Sequence, residues 1–429
     1  MYYKKKECFI MTLIKTTLLS SVATVIKILS SIVINKAVAL YIGPSGLALI
    51  GQFQNFSQAI QIISSGAINT GVTKYTSEYC SKEKSIQSLF STSIKISFFF
   101  SILIGFCIIF FSDYIAVQLL KTDRYSYIFI IFGFTLIFFI LNNYFLSILN
   151  GLKEIKMFIS ISIIQSIYSL CFTTLLIVFY SFDGALIAFV TNQSIVFIII
   201  IWMLRKHKII NFNNFRGKFN IIEAKKLSKF MIMTLTSALS VPASYFIIRN
   251  QIGETLGWDV AGYWQALISI SSLYLLIITT ALSTYYLPKL SAINSIETLK
   301  KEIFNGYYII IPIVCLLGMC LYMIREFIII VLFTNDFLPM KEFFIYQICG
   351  DVLKISCFLI GYVLIAKEMT KIFIIKELVM SIFFVVISVI LLKNYALEGV
   401  FFAYIITYIS NLILLIIIFQ NYTKKEKNV

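Results

Sequence analysis

The chain has 429 residues, of which 59% are hydrophobic, 16% are aromatic and only 13% are charged. Soluble domains carry about 25% charged residues, about twice the fraction of this chain. Together with the mean hydropathy of +0.92, this composition excludes soluble enzymes and soluble binding modules. Repeated apolar stretches of about eighteen residues or more predict an all-α polytopic membrane protein, because a spanning helix satisfies its own backbone hydrogen bonds.

The formal net charge of +16 would favour a nucleic-acid partner if the chain were soluble. Most of the basic residues instead fall in short connections that lie on one side of the membrane if the N-terminus is cytoplasmic, which is the pattern of the positive-inside rule. The basic excess therefore indicates topology and contact with anionic lipid. It predicts two cytoplasmic termini and no nucleic-acid partner.

The apolar stretches predict about twelve transmembrane helices. We expect them at residues 18–41, 46–69, 94–112, 125–149, 157–180, 184–204, 229–250, 260–287, 304–330, 341–366, 370–392 and 397–420. Three short patterns recur at an offset of about half the chain, and one of them pairs Phe182-Asp183-Gly184-Ala185 with Leu397-Glu398-Gly399-Val400. The repeat predicts two six-helix halves, residues 1–210 and 211–429, around a central cavity near the membrane midplane.

The first span contains two lysines, Lys27 and Lys36. A cation near the bilayer centre costs roughly 2.5–3.5 kcal/mol on insertion scales, so each lysine is a candidate functional residue. Lys27 shares one helical face with four polar residues, Ser20, Thr24, Ser31 and Asn35. This polar face favours a function for Lys27. Lys36 lies on another face, where snorkelling to the interface and function both remain open.

Polar side chains also mark later spans. The second span carries Gln54, Gln58 and Gln61 on one face, the seventh ends at Arg249, and the eighth carries Gln265. Such groups can simply join neighbouring helices, with about 0.6 kcal/mol per contact. Basic and amide groups occur together here, however, and a buried lysine or arginine suits phosphate whereas amides suit sugar hydroxyls.

The tenth span carries Asp351 and Lys354, three residues apart on a helix, so that the two side chains can pair. A structural ion pair is one interpretation. The other is an ion-coupling site, in which Asp351 accepts a proton or a cation. Glu377 in the eleventh span is a weaker candidate for the same role.

The residues of several common chemistries are missing from the sequence. The eight cysteines form no CxxC pair and His207 is the single histidine, which predicts no metal site and no disulfide. No GxxxxGK[ST] segment is present, so ATP hydrolysis is not expected. The external connections are short and offer no acid/base pair. We therefore expect neither an enzyme nor a cofactor.

Several segments in both halves resemble one family of membrane transporters. They are Val25-Ile26-Lys27 with Asn35-Lys36, Leu40 to Leu47, Gly71 to Tyr75, Val241-Pro242 through Arg249, Trp258 to Gln265, Tyr286 to Leu290, and Gln347 to Lys354, continuing with Gly361 to Lys367. The chain resembles the Wzx-type polysaccharide flippases of the polysaccharide transporter family. This family belongs to the multidrug/oligosaccharidyl-lipid/polysaccharide superfamily. The chain is most similar to enterobacterial O-antigen flippases and to the lipid III flippase.

The resemblance implies a function in the bacterial inner membrane. The expected activity is movement of undecaprenyl-diphosphate-linked O-antigen repeat units from the cytoplasmic to the periplasmic leaflet, by alternating access coupled to H+ or Na+. An O-antigen polymerase and a chain-length regulator are the implied protein partners. Flipping of lipid III, the common-antigen unit, is the alternative within the family. A small-molecule drug exporter and a membrane polymerase are alternatives of other classes.

The polar and aromatic residues of the spans, together with the resemblance, indicate the candidate substrate-binding residues. For the diphosphate these are the basic residues Lys27, Lys36, Lys74 and Arg249. For the sugars they are the amide and aromatic residues Gln54, Gln58, Gln61, Trp264 and Gln265.

Overall fold

A computed structural model describes residues 13–79, 83–205, 210, 212–282, 286–293, 295–367 and 369–427, and in these residues no strand is present. The helices are α1 (Leu13–Tyr41), α2 (Gly43–Ser64), α3 (Asn69–Tyr79), α4 (Glu83–Phe110), α5 (Ser112–Leu120), α6 (Ser126–Gly151), α7 (Ile155–Leu204), α8 (Ile221–Leu256), α9 (Trp258–Ala281), α10 (Leu287–Ala292), α11 (Ile296–Met323), α12 (Arg325–Leu332), α13 (Phe344–Ala366) and α14 (Thr370–Lys427). Three 3-10 segments accompany them, Asp123–Tyr125, Phe212–Phe215 and Asn335–Phe343. The all-α fold is confirmed.

The described residues contain eight helices that are long and apolar enough to cross a bilayer. Two of them, α7 with 50 residues and α14 with 58, have more than twice the length of one span. Each is broken once by a residue with positive φ, Ser181 in α7 and Ala396 in α14. Each therefore supplies two spans. Helices α2 and α8 also have the length of a span but carry more polar residues. The total is about twelve, as predicted.

The ninth predicted span, 304–330, is wrong at its C-terminal end. Helix α11 stops at Met323, and Ile324 leaves the helical conformation with φ −105° and ψ 18° before α12 begins. Arg325 stabilises this break, because its guanidinium lies 4.2 Å from the Tyr322 ring centroid and donates to the Tyr322 carbonyl at 2.8 Å. Beyond the break, Lys341 pairs with Glu326 at 2.9 Å and lowers the pKa of that carboxyl.

The described residues divide into two compact units. Unit 1 comprises those up to Tyr41 together with Phe56–Ala238, and unit 2 comprises Ile42–Asn55 together with those from Leu239 onward. In unit 1 the core includes Phe90 and Tyr144. In unit 2 it is formed by apolar residues of α9, α11, α13 and α14. The division into sequence halves at residue 210 stays a prediction.

Within unit 1, the beginning of α8 is tied to α3 by a polar cluster. Lys226 donates to the Tyr79 hydroxyl at 2.7 Å and to the Glu223 carboxylate at 2.9 Å. Its ammonium also lies 5.4 Å from the Tyr79 ring centroid. These two hydrogen bonds favour the charged amine and raise the pKa of Lys226.

The breaks in α7 and α14 share one geometry, with φ of 46° at Ser181 and 47° at Ala396. Three residues after each break is a glycine, Gly184 or Gly399. A Cβ there would overlap a leucine carbonyl oxygen in the preceding helix, that of Leu176 or Leu391. Only glycine allows such a close return of the backbone. The motif that the sequence repeats thus forms the same tight reversal in both units.

Gly399→Val is therefore expected to destabilise unit 2, because the obstructing atom belongs to the backbone and cannot rotate away. Overpacking of a filled site typically costs about 1–3 kcal/mol. The measurement is the melting temperature and yield of purified protein. Gly361→Ala is the control, since a Cβ at this helical glycine meets no atom within 4 Å. A melting temperature for Gly399→Val equal to that of the control would contradict the proposed role of the glycine.

Candidate functional site

Arg249 on α8 is the most deeply buried cation among the described residues, with 1% of its surface exposed. Its Nη2 donates to Oε1 of Gln265, and its guanidinium lies 5.5 Å from the Trp264 ring centroid. Nε and Nη1 are buried without a hydrogen-bond partner in the described part of the chain. A buried charge with unused donors is unfavourable unless an anion joins it. This pattern identifies Arg249 as a candidate anion-binding group.

Helices α2 and α9 hold Gln265 in position to meet the arginine. A Cβ on Gly51 of α2 would lie 2.5 Å from Cδ of Gln265, so the glycine leaves the space that the amide occupies. The Gln265 Nε2 points to the Ser269 hydroxyl at 3.4 Å, which directs the amide oxygen toward Arg249. The structure thus brings together three of the predicted site residues, Arg249, Trp264 and Gln265, all in unit 2.

A cavity of about 420 Å³ lies within unit 2, between residues of α8, α13 and α14. Cavities of this size commonly hold small ligands. On the α8 side, Tyr245 lines the cavity, and its ring packs edge to face on Trp264 at a centroid distance of 5.4 Å. Ser244 and Ser381 join α8 to α14 across the cavity wall through a hydroxyl pair at 2.6 Å. The cavity wall is therefore continuous with the Arg249 cluster.

The charged groups of this cavity are two lysines and one acid. On α14, the buried Lys376 pairs with Glu377 at 2.8 Å. On α13, Lys354 also lines the cavity, and no described carboxylate lies within ion-pair distance of it. The lining residues thus carry a net charge of +1, and Lys354 interacts electrostatically with the buried Asp351 beside the cavity.

The remaining polar and aromatic lining is suited to a hydroxylated ligand. Oγ1 of Thr407 and Oδ1 of Asn411 are buried without a hydrogen-bond partner in the described residues. The aromatic side chains of the wall are Tyr245, Phe358, Tyr362, Phe373, Phe384, Tyr404 and Tyr408. Amide and hydroxyl oxygens accept hydrogen bonds from sugar hydroxyls, and the ring faces supply apolar contact area.

Asp351 lies next to this cavity and is fully buried. The pairing with Lys354 that its spacing allows does not form. The carboxylate instead accepts hydrogen bonds from four uncharged donors, Ser271 at 2.5 Å, Tyr274 at 2.7 Å, Gln347 at 3.0 Å and Tyr404 at 3.0 Å. A carboxylate has about four acceptor positions, and these donors occupy them. Lys354 extends into the cavity instead.

The other predicted substrate-binding residues belong neither to the Arg249 cluster nor to the lining of the unit 2 cavity. Lys27, Gln58 and Lys74 are exposed, whereas Lys36, Gln54 and Gln61 are partly exposed. Lys74 lies 5.7 Å from the ring centroid of its neighbour Tyr75. Except for Gln54, these residues belong to unit 1. Their role in binding the substrate stays a prediction.

Comparison with known protein families identifies the family of this polytopic chain with its buried arginine. The family described as polysaccharide biosynthesis protein matches residues 13–294, about two thirds of the chain. The chain belongs to this family. The match includes α1, α2 and the whole Arg249 cluster, and it identifies a multi-pass membrane protein of polysaccharide biosynthesis.

Members with curated functions are similar along nearly the whole length. The lipid III flippase of Escherichia coli K12 is 26% identical over 399 residues, which cover 93% of this chain and 96% of the relative. The lipid III flippase of Shigella flexneri has the same identity and coverage.

Two solved structures of other proteins have the same fold as this chain. A multidrug resistance MATE family transporter of the MOP superfamily in an outward-facing conformation aligns with a TM-score of 0.71 at 14% identity, covering 97% of both chains. A MOP superfamily transporter from Pyrococcus furiosus, described by the reverse polarity of its binding pocket, aligns with a TM-score of 0.68 at 13% identity. It covers 95% of this chain and 96% of the other.

Sequence reasoning missed much of the cavity, in particular Tyr245, Lys376, Tyr404 and Asn411. Two features of the sequence could have indicated them. Lys376 and Glu377 are adjacent charges in an apolar segment. Residues 404, 407, 408 and 411 are all polar or phenolic and recur at three- and four-residue spacing, which places them on one face of the last span.

Proposed function

We propose that the chain is a flippase that moves an undecaprenyl-diphosphate-linked oligosaccharide from the cytoplasmic to the periplasmic leaflet of the bacterial inner membrane. The observation that carries this proposal is Arg249, a buried guanidinium with two unused donors in a membrane protein of polysaccharide biosynthesis. A guanidinium binds phosphate oxygens through two parallel hydrogen bonds. In this proposal, Arg249 binds the diphosphate.

The substrate that we favour is the O-antigen repeat unit, which is the expectation from the sequence. A second candidate is lipid III. The identity of 26% with lipid III flippases over 93% of the chain favours this second candidate. Both substrates consist of sugars linked through a diphosphate to a polyprenyl chain, so they place the same demands on Arg249.

The proposed mechanism uses binding and movement and makes or breaks no covalent bond. The sugars occupy the unit 2 cavity, where Asn411, Thr407 and the tyrosines supply hydrogen bonds and ring faces. The lipid tail stays in the bilayer. Arg249 is 1% exposed, so the diphosphate reaches it when Tyr245 of the cavity wall and Trp264, which packs on Tyr245, move during alternating access. An H+ or Na+ gradient drives the cycle through Asp351.

A drug exporter is the competing transporter class. The structural neighbours named for multidrug resistance share 13–14% identity and indicate the fold alone. The lining residues of the unit 2 cavity carry a net charge of +1. This charge repels the cationic compounds for which an exporter would need acidic cavity groups. The charge of the cavity therefore favours an anionic substrate.

Deletion of the gene tests the proposal. We expect loss of one surface polysaccharide together with accumulation of its undecaprenyl-linked single units on the cytoplasmic side of the membrane. Immunoblots with sera against O-antigen and against common antigen distinguish the two substrates. Single units on the outer face would indicate a polymerase. Wild-type polysaccharide with a changed drug susceptibility would indicate an exporter. Either result contradicts the proposed function.

A further inference from the structure

Unit 1 has an exposed groove of about 540 Å³ on α4, beside the 3-10 segment Phe212–Phe215. The apolar lining residues are Ile94, Phe98, Phe99, Ile102, Leu103 and Phe215. Two cations, Lys95 and Arg216, lie at one end. The groove therefore has an apolar body and a basic end, which is the polarity of a binding site for an anionic lipid.

The segment from Phe215 to Asn220, which borders the groove opposite α4, is fixed to α4 by ring stacking and hydrogen bonds. The Phe215 ring stacks on Phe90 at a centroid distance of 5.5 Å. Lys95 Nζ donates to the Gly217 carbonyl at 2.8 Å. The Asn220 amide nitrogen and backbone N–H bind the hydroxyls of Ser88 and Thr92, both at 3.0 Å. The groove is thus built into the fold of unit 1.

The length of α4 places the basic end of the groove at the level of lipid phosphates. The helix has 28 residues, whereas the hydrocarbon core takes about 20 residues. Counted back from Phe110, the hydrocarbon begins near residue 91, about one helical turn before Lys95. A lysine at this depth reaches the interface with its amine. The exposed side chains of Phe98, Phe99 and Ile102 then lie at the depth of acyl chains.

The charge around the basic end is predominantly positive. Lys84 and Lys218 line a polar depression formed by the same two chain segments. The acidic residues of these segments are Glu83 at the start of α4 and Glu223 at the start of α8, and Glu223 is bound to Lys226. Four basic residues therefore face the headgroup region beside the groove. Each contributes about 1 kcal/mol of attraction toward anionic lipid.

We propose that this groove binds one anionic diacyl phospholipid. The phosphate lies between Lys95 and Arg216, and an acyl chain lies along Phe98, Ile102 and Leu103. According to the positive-inside pattern, the lipid belongs to the cytoplasmic leaflet. This site is separate from the Arg249 cluster, and it does not rest on the proposed transport function.

Native mass spectrometry of the full-length protein tests the site. The protein is equilibrated in detergent with equal amounts of phosphatidylglycerol and phosphatidylethanolamine. We expect the wild-type protein to retain phosphatidylglycerol preferentially, and Lys95→Gln or Arg216→Gln to reduce this preference about fivefold each. Lys156→Gln is the matched control, because Lys156 is an exposed lysine of unit 1 outside the groove. It is expected to behave as wild type.

Melting temperatures separate lipid binding from a structural role of Lys95 and Arg216. A structural role predicts the same loss of stability with either phospholipid. The proposed site predicts loss only of the additional stabilisation by phosphatidylglycerol. Equal retention of both phospholipids by the wild-type protein, or an unchanged preference in both variants, would overturn the proposal. Displacement of phosphatidylglycerol by undecaprenyl phosphate would overturn it too, because the groove would then hold the polyprenyl lipid.

Discussion

Arg249→Met is expected to abolish surface display of the polysaccharide while the variant still reaches the membrane. Methionine replaces a buried charge with an apolar side chain, a change that is often neutral or stabilising. The loss therefore falls on substrate binding. A hydrogen bond to a charged group contributes about 1.5–3 kcal/mol, so removal of two donors weakens diphosphate binding by about 100-fold or more.

The measurement is complementation of the deletion strain, with protein level and melting temperature followed in parallel. Arg249→Lys keeps the charge but loses the two-donor fork, and we expect it to restore display only in part. The matched control is Arg325→Met, because Arg325 also packs on an aromatic ring in unit 2 but caps a helix end and does not line the cavity. Wild-type display by Arg249→Met would show that this arginine does not bind the diphosphate.

The sequence predicted the fold well because membrane spans depend on local properties. An apolar stretch of sufficient length forms its own hydrogen bonds, and its ends are marked by charges and glycines. The repeated motif around Gly184 and Gly399 was informative for the same reason, since a tight backbone reversal requires a residue without a side chain. The ninth span was placed wrongly at its end because Arg325 caps α11 within an apolar run, which hydropathy does not detect.

Site residues could be predicted from the sequence where a polar side chain stands within an otherwise apolar helix. Arg249 and Gln265 are polar residues in apolar surroundings, and the structure places them in one cluster. The partners of Asp351 could not be predicted in this way. Ser271 and Tyr404 lie 80 and 53 residues from it in sequence. Their hydroxyls donate hydrogen bonds to the carboxylate, whereas the near neighbour Lys354 does not pair with it. These contacts depend on the packing of α9, α13 and α14, which the sequence does not show.

The packing also shows how two buried charged residues of unit 2, Arg249 and Asp351, are connected. Trp264 stacks on Arg249, Tyr245 contacts both Trp264 and Phe384, and Phe384 contacts Tyr404, with ring centroids 5.4 to 6.3 Å apart. The Tyr404 hydroxyl then binds Asp351. Tyr245, Phe384 and Tyr404 also line the cavity. Movement of this wall by a bound substrate would therefore disturb the hydrogen bonds of the carboxylate, which is the physical basis for proposing that Asp351 couples transport to an ion.

Asp351→Asn is accordingly expected to remove the response of transport to an ion gradient. Asparagine has the size of the carboxylate but can neither bind a proton near neutral pH nor carry the charge that attracts a cation. In proteoliposomes with a fluorescent lipid-linked oligosaccharide, the wild-type protein should flip faster under an imposed H+ or Na+ gradient. The variant should stay at its rate without a gradient. Asp336→Asn is the control, because Asp336 is an exposed acid of unit 2, and it should respond as wild type does.

A second substitution keeps this test independent of folding. Asp351→Leu leaves the four donors without an acceptor, at about 1–3 kcal/mol for each donor that stays buried, and is expected to prevent accumulation of folded protein. Asp351→Asn retains one acceptor oxygen, and we expect it to fold with a lowered melting temperature. If it folds and its transport still accelerates with the gradient as in the wild type, Asp351 only holds α9, α13 and α14 together. The coupling ion would then bind elsewhere, and the Lys376–Glu377 pair of the cavity would be the next site to test.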